Sequence, residues 1–195
     1  MILITGTRGF VGKSLVPLLN DNGYSVRCLV HSVLENEYRD DFSHRDLVFA
    51  SMGDPSALRQ AMVGIDTIIH LASAQCHGGL QQLMEVDYKG TRQLLAAAKE
   101  MGVSRFVYPS HLGAGRSSAY PILKIKGVIE EFVRRSGVPF TIMRSAAIFG
   151  ANDHFTNTLA LLMKSIISPV RHLQKNTRSI PSIPLRQMFG GRCTC

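Results

Sequence analysis

The chain has 195 residues, of which 45% are hydrophobic and 18% are charged, a composition that is typical of a globular domain and excludes a disordered chain. Its net charge is +8, but residues 164–195 carry six basic residues and no acidic one, whereas residues 1–163 carry 16 basic and 14 acidic residues. Because the body of the chain is nearly neutral, we do not expect a nucleic-acid-binding protein.

Short apolar runs alternate with amphipathic stretches along most of the chain. We predict strands at Met1–Thr5, Ser25–Val30, Asp46–Ala50, Asp66–Leu71, Arg105–Pro109 and Phe140–Arg144. We predict helices at Phe10–Asn22, Asp54–Met62, Leu80–Met101 and Pro121–Ser136. Several strands are apolar throughout, as in parallel sheets that are covered on both faces. The alternation therefore predicts an α/β fold with a doubly wound parallel sheet.

The end of the chain differs from the rest. Residues 168–195 are basic, contain three prolines and show no helical or strand period, so we predict a disordered tail after a domain at residues 1–167. No apolar run reaches the roughly 18 residues of a membrane span, and the N-terminus has no signal-peptide pattern. The four cysteines form no CxxC pair, which favours a reducing, cytoplasmic setting.

A glycine-rich loop with the spacing GxxGxxG lies between the first predicted strand and the first predicted helix. Glycines at these places allow a tight turn, a close approach to a pyrophosphate and close packing of helix and strand, while the helix N-terminus attracts the phosphates. This strand–turn–helix context predicts a dinucleotide site. Its residues are Gly6, Thr7, Arg8, Gly9, Phe10, Val11 and Gly12.

The residues near the second predicted strand bear on the choice of cofactor. Sites for NAD usually place an acidic residue at the end of that strand, where it binds the ribose hydroxyls, but this strand is followed by His31. Arg8 in the loop and Arg27 nearby in sequence could pair with a 2′-phosphate. We therefore favour NADP(H), with NAD(H) as the alternative.

Three further segments follow the glycine-loop segment ITGTRGFVG in a characteristic order: GDPSALRQAMVGIDTIIHLAS, EVDYKGTRQLLAAAKEMGVSRFVYPS and KGVIEEFVRRSGVPFTIMRSAAIFG. With them, residues 1–163 resemble the short-chain dehydrogenase/reductase superfamily in its extended and atypical branch, which includes NAD-dependent epimerase/dehydratases and NmrA-like proteins. The resemblance implies a Rossmann fold and hydride transfer between a nicotinamide and a carbonyl or sugar-type substrate. The alternative is a non-catalytic NmrA-like NADP(H) sensor or assembly factor. A homodimer is a further option that the resemblance implies.

The resemblance also implies roles for individual residues. Asp54 would contact the adenine, with helix capping as its alternative role. Ala72 and Ser73 would line the cofactor ribose and diphosphate, and Ser110 would be the active-site serine. Asp87 stands where related proteins often carry Asn, which puts its structural role in question.

The catalytic Tyr and Lys of the superfamily lie four residues apart on one helix, and two registers fit here. Tyr120 and Lys124 match the spacing literally. In the other register Lys126 is the family lysine, because Glu130 follows it by four residues as in the family, and Ile122 then replaces the tyrosine. Pro121 favours this second register, since proline prefers the first helical turn and would leave Tyr120 outside the helix.

The histidines show no metal-binding spacing, and we predict no metal site. His111 follows Ser110 and is a candidate proton carrier, although an isolated loop histidine is more often simply polar; His70 is expected in the core. Relatives usually continue into a C-terminal substrate lobe, which is weakly represented after residue 163. A truncated lobe or a frameshifted tail is therefore our expectation for this end of the chain.

Overall fold

The computed structural model describes residues 1–31, 46–74, 79–150, 153 and 156–163. Six parallel strands form one sheet in the order β3-β2-β1-β4-β5-β6. This order confirms the predicted doubly wound sheet, and its switch point lies between β1 and β4. The strands are β1 (Ile2–Thr5), β2 (Val26–Val30), β3 (Asp46–Phe49), β4 (Thr67–His70), β5 (Arg105–His111) and β6 (Phe140–Ser145).

The helices begin and end close to the predicted positions. They are α1 (Phe10–Asp21), α2 (Pro55–Ala61), α3 and α4 (Pro121–Arg135), of which α3 is continuous from Leu80–Gln82 through a π-helical segment at Leu83–Gly90 to Thr91–Glu100. Gly102 and Gly137 follow α3 and α4 with positive φ angles of 68° and 78°, a conformation that favours glycine at helix ends.

Apolar residues on the two faces of the sheet form two core clusters. The larger one joins strand residues such as Ile68 and Phe106 to helix residues such as Leu94 and Ile129, all of them fully buried. The smaller one packs Val16 of α1 against strand residues on the opposite face. Both faces are thus covered by helices, which explains why the strands are apolar on both sides.

Residues Met1–Ile148 form one compact unit, and a second begins at Phe149. In the described part of the second unit, residues 156–163 are helical, and the Asp153 carboxylate accepts hydrogen bonds from Gly150 N–H at 2.9 Å and Thr156 N–H at 2.6 Å. The predicted tail, residues 168–195, lies outside the described residues. None of the helices in the described part of the chain is long and apolar enough to cross a membrane.

The paired strands β5 and β6 offer a test of the core. Phe106 is fully buried, whereas its neighbour across the strands, Phe140, is 42% exposed. We expect Phe106→Ala to lower the free energy of unfolding by about 3–5 kcal/mol, because it removes buried apolar surface and leaves a cavity. Phe140→Ala, the matched control, should lower it by less than half as much. Urea unfolding measures both, and equal losses would contradict this description of the core.

Candidate active site at the carboxyl ends of the strands

The glycine loop lies where the backbone after β1 approaches two other segments. A Cβ atom on Gly6 would lie 2.5 Å from the Ala72 nitrogen, and one on Gly12 would lie 2.5 Å from the Gly6 oxygen. Both distances are too short for a real side chain, and Gly6 also has a φ of +70°, which favours glycine. These two glycines are therefore required by the packing of the loop against α1 and the segment after β4.

The N-terminus of α1 is left open toward solvent. Gly9 is its N-cap, and no side chain caps it; the Gly9 N–H instead donates to the Gly6 carbonyl at 3.0 Å, which closes the turn. Uncapped N–H groups at the positive end of a helix form a site for phosphate. A cradle that glycines keep free of side chains, beside such a helix end, fits the pyrophosphate of a dinucleotide.

The segment after β4 is held in place by partly buried hydrogen bonds. The Ala72 N–H donates to the Thr5 hydroxyl at 3.2 Å. The carboxylate of Asp87, which is 3% exposed, accepts from the Ser73 hydroxyl at 2.6 Å and from the Ala74 N–H at 2.8 Å. Asp87 therefore holds the segment after β4 in place, and its carboxylate does so as a hydrogen-bond acceptor.

His70 connects this segment to the helix beneath it. Its two ring nitrogens lie 2.7 Å from the Thr5 hydroxyl and 2.8 Å from the Thr91 hydroxyl. Burial, and then the positive charge of Lys126, lowers the pKa of His70 to about 3. The neutral ring donates one hydrogen bond and accepts one, so His70 is a core residue, as predicted, that joins the ends of β1 and β4 to α3.

The two arginines that could pair with a 2′-phosphate, Arg8 and Arg27, lie in different places on the β2 side of the switch point. The guanidinium of Arg27, near the start of β2, donates to Asp46 at 2.7 Å and to the carbonyls of Ala61 and Val63 at 3.1 and 2.9 Å. Arg27 therefore lies away from the strand's carboxyl end, and its expected role toward a 2′-phosphate was wrong.

Three other candidates remain on the β2 side. Arg8 and His31 are exposed, and His31 directly follows β2. The Asp54 carboxylate caps α2 by accepting from the N–H groups of Ser56 and Ala57 at 2.9 and 3.1 Å. The capping role of Asp54 is thus present in the structure, and its contact with adenine stays a prediction.

At the end of β5, Ser110 belongs to a cluster around the buried Glu130 carboxylate, in which two arginines are about half exposed. Its hydroxyl donates to Glu130 at 2.6 Å, and Ser110 and Glu130 are 4% and 0% exposed. The same carboxylate accepts from Arg144 at 2.6 and 2.8 Å and from Arg134 at 2.8 Å. Burial raises the pKa of Glu130, but the hydrogen bonds from Arg144, Ser110 and Arg134 outweigh it and lower the pKa to about 2.

The two lysine candidates differ in their surroundings. Lys126 is 8% exposed and its ammonium lies 5.6 Å from the centroid of the Tyr108 ring. Lys124 is exposed, and Tyr120 is 70% exposed as the N-cap of α4. Tyr120 thus precedes the helix, as the position of Pro121 predicts. Ile122 packs against the larger core cluster, so the structure groups Lys126 with the buried residues and leaves Tyr120 and Lys124 at the surface.

Tyr108 is a buried group that the sequence did not single out. It is 3% exposed, and its hydroxyl has no hydrogen-bond partner among the described residues. Burial, reinforced by the charges of Asp87 and Glu130, raises the pKa of Tyr108. A buried hydroxyl of this kind in strand β5 had no signal in the sequence beyond its place in an apolar run.

A six-stranded parallel sheet of this order, with a glycine cradle at its switch point, defines a Rossmann-type nucleotide-binding protein. The chain belongs to the NAD dependent epimerase/dehydratase family, whose model matches residues 2–182. This match confirms the resemblance to the extended short-chain dehydrogenase/reductases.

Individual relatives show how much of a longer protein this chain resembles. The photosystem II assembly factor Ycf39 of Cyanophora paradoxa is 32% identical over 150 residues, which are 76% of this chain and 46% of that protein. The ceramide reductase of Caulobacter vibrioides is 30% identical over 183 residues, or 94% and 56% of the two chains. A short-chain dehydrogenase/reductase superfamily protein from Agrobacterium tumefaciens, solved with bound NAD, superposes with a TM-score of 0.62 and 29% identity over 74% of this chain and 48% of its own. The chain thus spans about half the length of the relatives it matches.

The Glu130 cluster predicts a pH-dependent contribution to stability. Because the pKa of Glu130 falls from 4.5 to about 2 on folding, its contribution is fully present above pH 4.5 and is lost as the pH falls toward 2. We expect Glu130→Gln to lower the free energy of unfolding at pH 7 by about 1.5–3 kcal/mol, because the hydrogen bonds to its charged carboxylate are lost, while Arg144 and Arg134 stay about half exposed to water.

The control for this prediction is Glu131→Gln. Glu131 pairs with Arg116 at 2.7 Å and Arg135 at 2.5 Å, but both arginines are largely exposed, so its loss should be at most about 1 kcal/mol. Urea unfolding at pH 7 and at steps down to pH 3 compares the variants. If Glu130→Gln matched Glu131→Gln, or retained the wild-type slope with pH, the cluster would not stabilise the fold as described.

Proposed function

We propose that this protein binds NADP(H) in the glycine cradle and transfers hydride between the nicotinamide and a carbonyl or sugar-type substrate. The observation that carries the proposal is the close approach of Gly6 and Gly12 to the surrounding backbone beside an uncapped helix N-terminus. A nicotinamide dinucleotide supplies the hydride chemistry when it is bound. NAD in the Agrobacterium neighbour supports a nicotinamide cofactor in general.

The topology gives the dinucleotide a direction. In Rossmann sites the residue at the end of β2 contacts the adenosine ribose, so the adenosine half would lie toward His31, Arg8 and Asp54. The nicotinamide half would then lie on the other side of the switch point, toward the ends of β4 and β5. Ala72 and Ser73 would flank the ribose and diphosphate between them.

On the nicotinamide side we assign the family lysine to Lys126 rather than Lys124. Lys126 is buried over the Tyr108 ring, on the face of the sheet that also holds His70, whereas Lys124 is exposed. Ser110 is assigned a positioning role, because its hydroxyl hydrogen is donated to Glu130. In this assignment α4 supplies no catalytic tyrosine. Tyr120, at the N-cap of α4, would take part in catalysis only if its exposed side chain rotated toward the nicotinamide.

A second function is a sensor or assembly factor that holds the cofactor without rapid turnover. The 70% exposure of Tyr120, outside α4, favours it, and one relative is named as an assembly factor. The two functions share the cofactor site. They differ in whether bound NADPH is consumed when a panel of small aldehydes and ketones is added.

Calorimetric titration of the purified chain with NADPH and with NADH tests the shared part of both functions. We expect NADPH to bind more tightly than NADH, because a 2′-phosphate would pair with a guanidinium in the loop. Absence of binding by either cofactor would contradict the oxidoreductase and the sensor together.

Gly12→Ala tests the cradle itself. The added Cβ would lie 2.5 Å from the Gly6 oxygen and 2.6 Å from the Thr7 Cα, so we expect NADPH affinity to fall by about 100-fold or more, which is ~2.7 kcal/mol. Gly79→Ala is the matched control, since its Cβ would meet nothing within 4 Å. Thermal unfolding checks that both variants fold; if Gly12→Ala does not, Gly9→Ala is the milder substitute, with a contact of 3.2 Å. Unchanged affinity in a folded loop variant would place the cofactor elsewhere.

Arg8→Gln tests the preference for NADP(H). We expect NADPH affinity to fall about tenfold, or ~1.4 kcal/mol, with NADH affinity unchanged within about twofold, because only NADPH carries the 2′-phosphate. Lys13→Gln removes an exposed positive charge from α1, the helix that follows the loop, and controls for general electrostatic attraction. An equal loss for both cofactors in Arg8→Gln would show that Arg8 does not read the 2′-phosphate.

A further inference from the structure

We propose that His111 is the proton carrier of this site and takes the role that the superfamily gives to tyrosine. The inference rests on the proposed function, because it needs a nicotinamide on the β4–β5 side of the switch point. It is carried by three observations on the described residues: the place of His111 at the sheet edge, the hydrogen bond that fixes its ring, and the unsuitable surroundings of the neighbouring candidates.

His111 is the last residue of β5, directly after Ser110. It pairs in register with Ser145 at the end of β6. The turn after it is fixed by hydrogen bonds from the Leu112 N–H to the Ser145 carbonyl at 2.9 Å and from the Ala114 N–H to the His111 carbonyl at 3.0 Å. The imidazole is therefore attached to a rigid strand end, and it is partly exposed, at the edge of the sheet where ligands of open α/β sheets bind.

The orientation of the ring follows from one hydrogen bond. The Nδ1 atom of His111 lies 2.6 Å from the Leu112 carbonyl oxygen. A carbonyl oxygen can only accept, so Nδ1 carries the hydrogen. In the neutral ring the lone pair is then on Nε2, at the far side of the imidazole, which is the arrangement that a general base requires.

The other groups near this edge are less suited to move a proton at neutral pH. His70 is fully buried with both nitrogens in hydrogen bonds to threonines. Tyr108 is buried within the sheet–helix core. Tyr120 is 70% exposed at the start of α4. Among these residues, His111 alone combines a rigid place at the strand end with access from solvent.

The proton step in the reducing direction is then as follows. The carbonyl carbon of the substrate would gain the hydride that NADPH supplies when it is bound, so the carbonyl is reduced and NADPH is oxidised to NADP⁺, and the substrate oxygen develops negative charge. The Nε2–H bond of the His111 imidazolium breaks while an O–H bond forms on that oxygen. The electron pair stays on Nε2, and the ring is left neutral with its hydrogen on Nδ1, the form that the Leu112 carbonyl holds. In the oxidising direction Nε2 accepts the hydroxyl proton, and the hydride that leaves the carbon would be taken up by bound NADP⁺.

Nitrogen NMR of the ¹⁵N-histidine-labelled chain tests the geometry without turnover. The His111 and His31 signals are assigned with His111→Gln and His31→Gln. We expect neutral His111 to carry its hydrogen on Nδ1, and its Nε2 signal to shift with NADPH but not with 2′,5′-ADP, which has only the adenosine half. The His31 signal should shift with both. Hydrogen on Nε2, or a His111 signal that NADPH leaves unchanged while that of His31 moves, would overturn the proposal and leave the cofactor site intact.

Turnover of NADPH with the aldehyde and ketone panel tests the chemistry. We expect His111→Gln to slow the wild-type rate by 100-fold or more, since general acid–base catalysis contributes about 10²–10⁴-fold, while NADPH affinity stays within about threefold. A loss in Tyr120→Phe but not in His111→Gln would overturn the proposal. So would wild-type protein that binds NADPH without consuming it, which would favour the sensor. Absence of NADPH binding would instead remove the proposed function first.

Discussion

The site depends on how closely three backbone segments approach one another at the switch point. The loop after β1, the start of α1 and the segment after β4 meet at distances that leave no room for a Cβ on Gly6 or Gly12. A phosphate can be bound by N–H groups only if no side chain stands between them and the ligand. Because Gly6 and Gly12 have no side chains, α1, the turn before it and the segment after β4 can pack closely together. The other groups of the site lie around this point.

Hydrogen bonds between buried polar side chains connect these segments to the helices. Thr5, His70 and Thr91 connect β1, β4 and α3, while Asp87 holds the segment after β4. Asp87 lies in the π-helical segment of α3; such segments place an extra residue in a turn and often occur at functional sites. Each buried polar group is worth little net stability when satisfied, but costs 1–3 kcal/mol if a partner is lost. The arrangement therefore favours one position of each strand end over others.

Much of the fold could be predicted from local patterns, because apolar runs, proline at the first helical turn and glycine at helix ends act over a few residues. The bounds of β2 and α4 differ from the prediction by only a residue. The π-helical segment could not be predicted, since its sequence has the same apolar spacing as an α-helix. The expected role of Arg27 was wrong because the groups that its guanidinium contacts, at Asp46, Ala61 and Val63, are distant from it in sequence. Ser110 and Glu130 are 20 residues apart in sequence. Their hydrogen bond forms because α4 packs against β5, and the sequence alone does not indicate this packing.

The two histidines at the ends of β4 and β5 lie in different surroundings, which bear on the roles that each can have. His70 faces the core, where burial keeps its ring neutral and two threonines occupy its nitrogens. His111 lies one strand further from the switch point, where the Leu112 carbonyl holds one ring nitrogen and the residue is partly exposed. A ring held at one nitrogen keeps the orientation that proton transfer needs and retains a second nitrogen for it. The two histidines thus end neighbouring strands, but His70 is buried and linked to two threonines, whereas His111 is partly exposed and has the position that the proposed proton transfer requires.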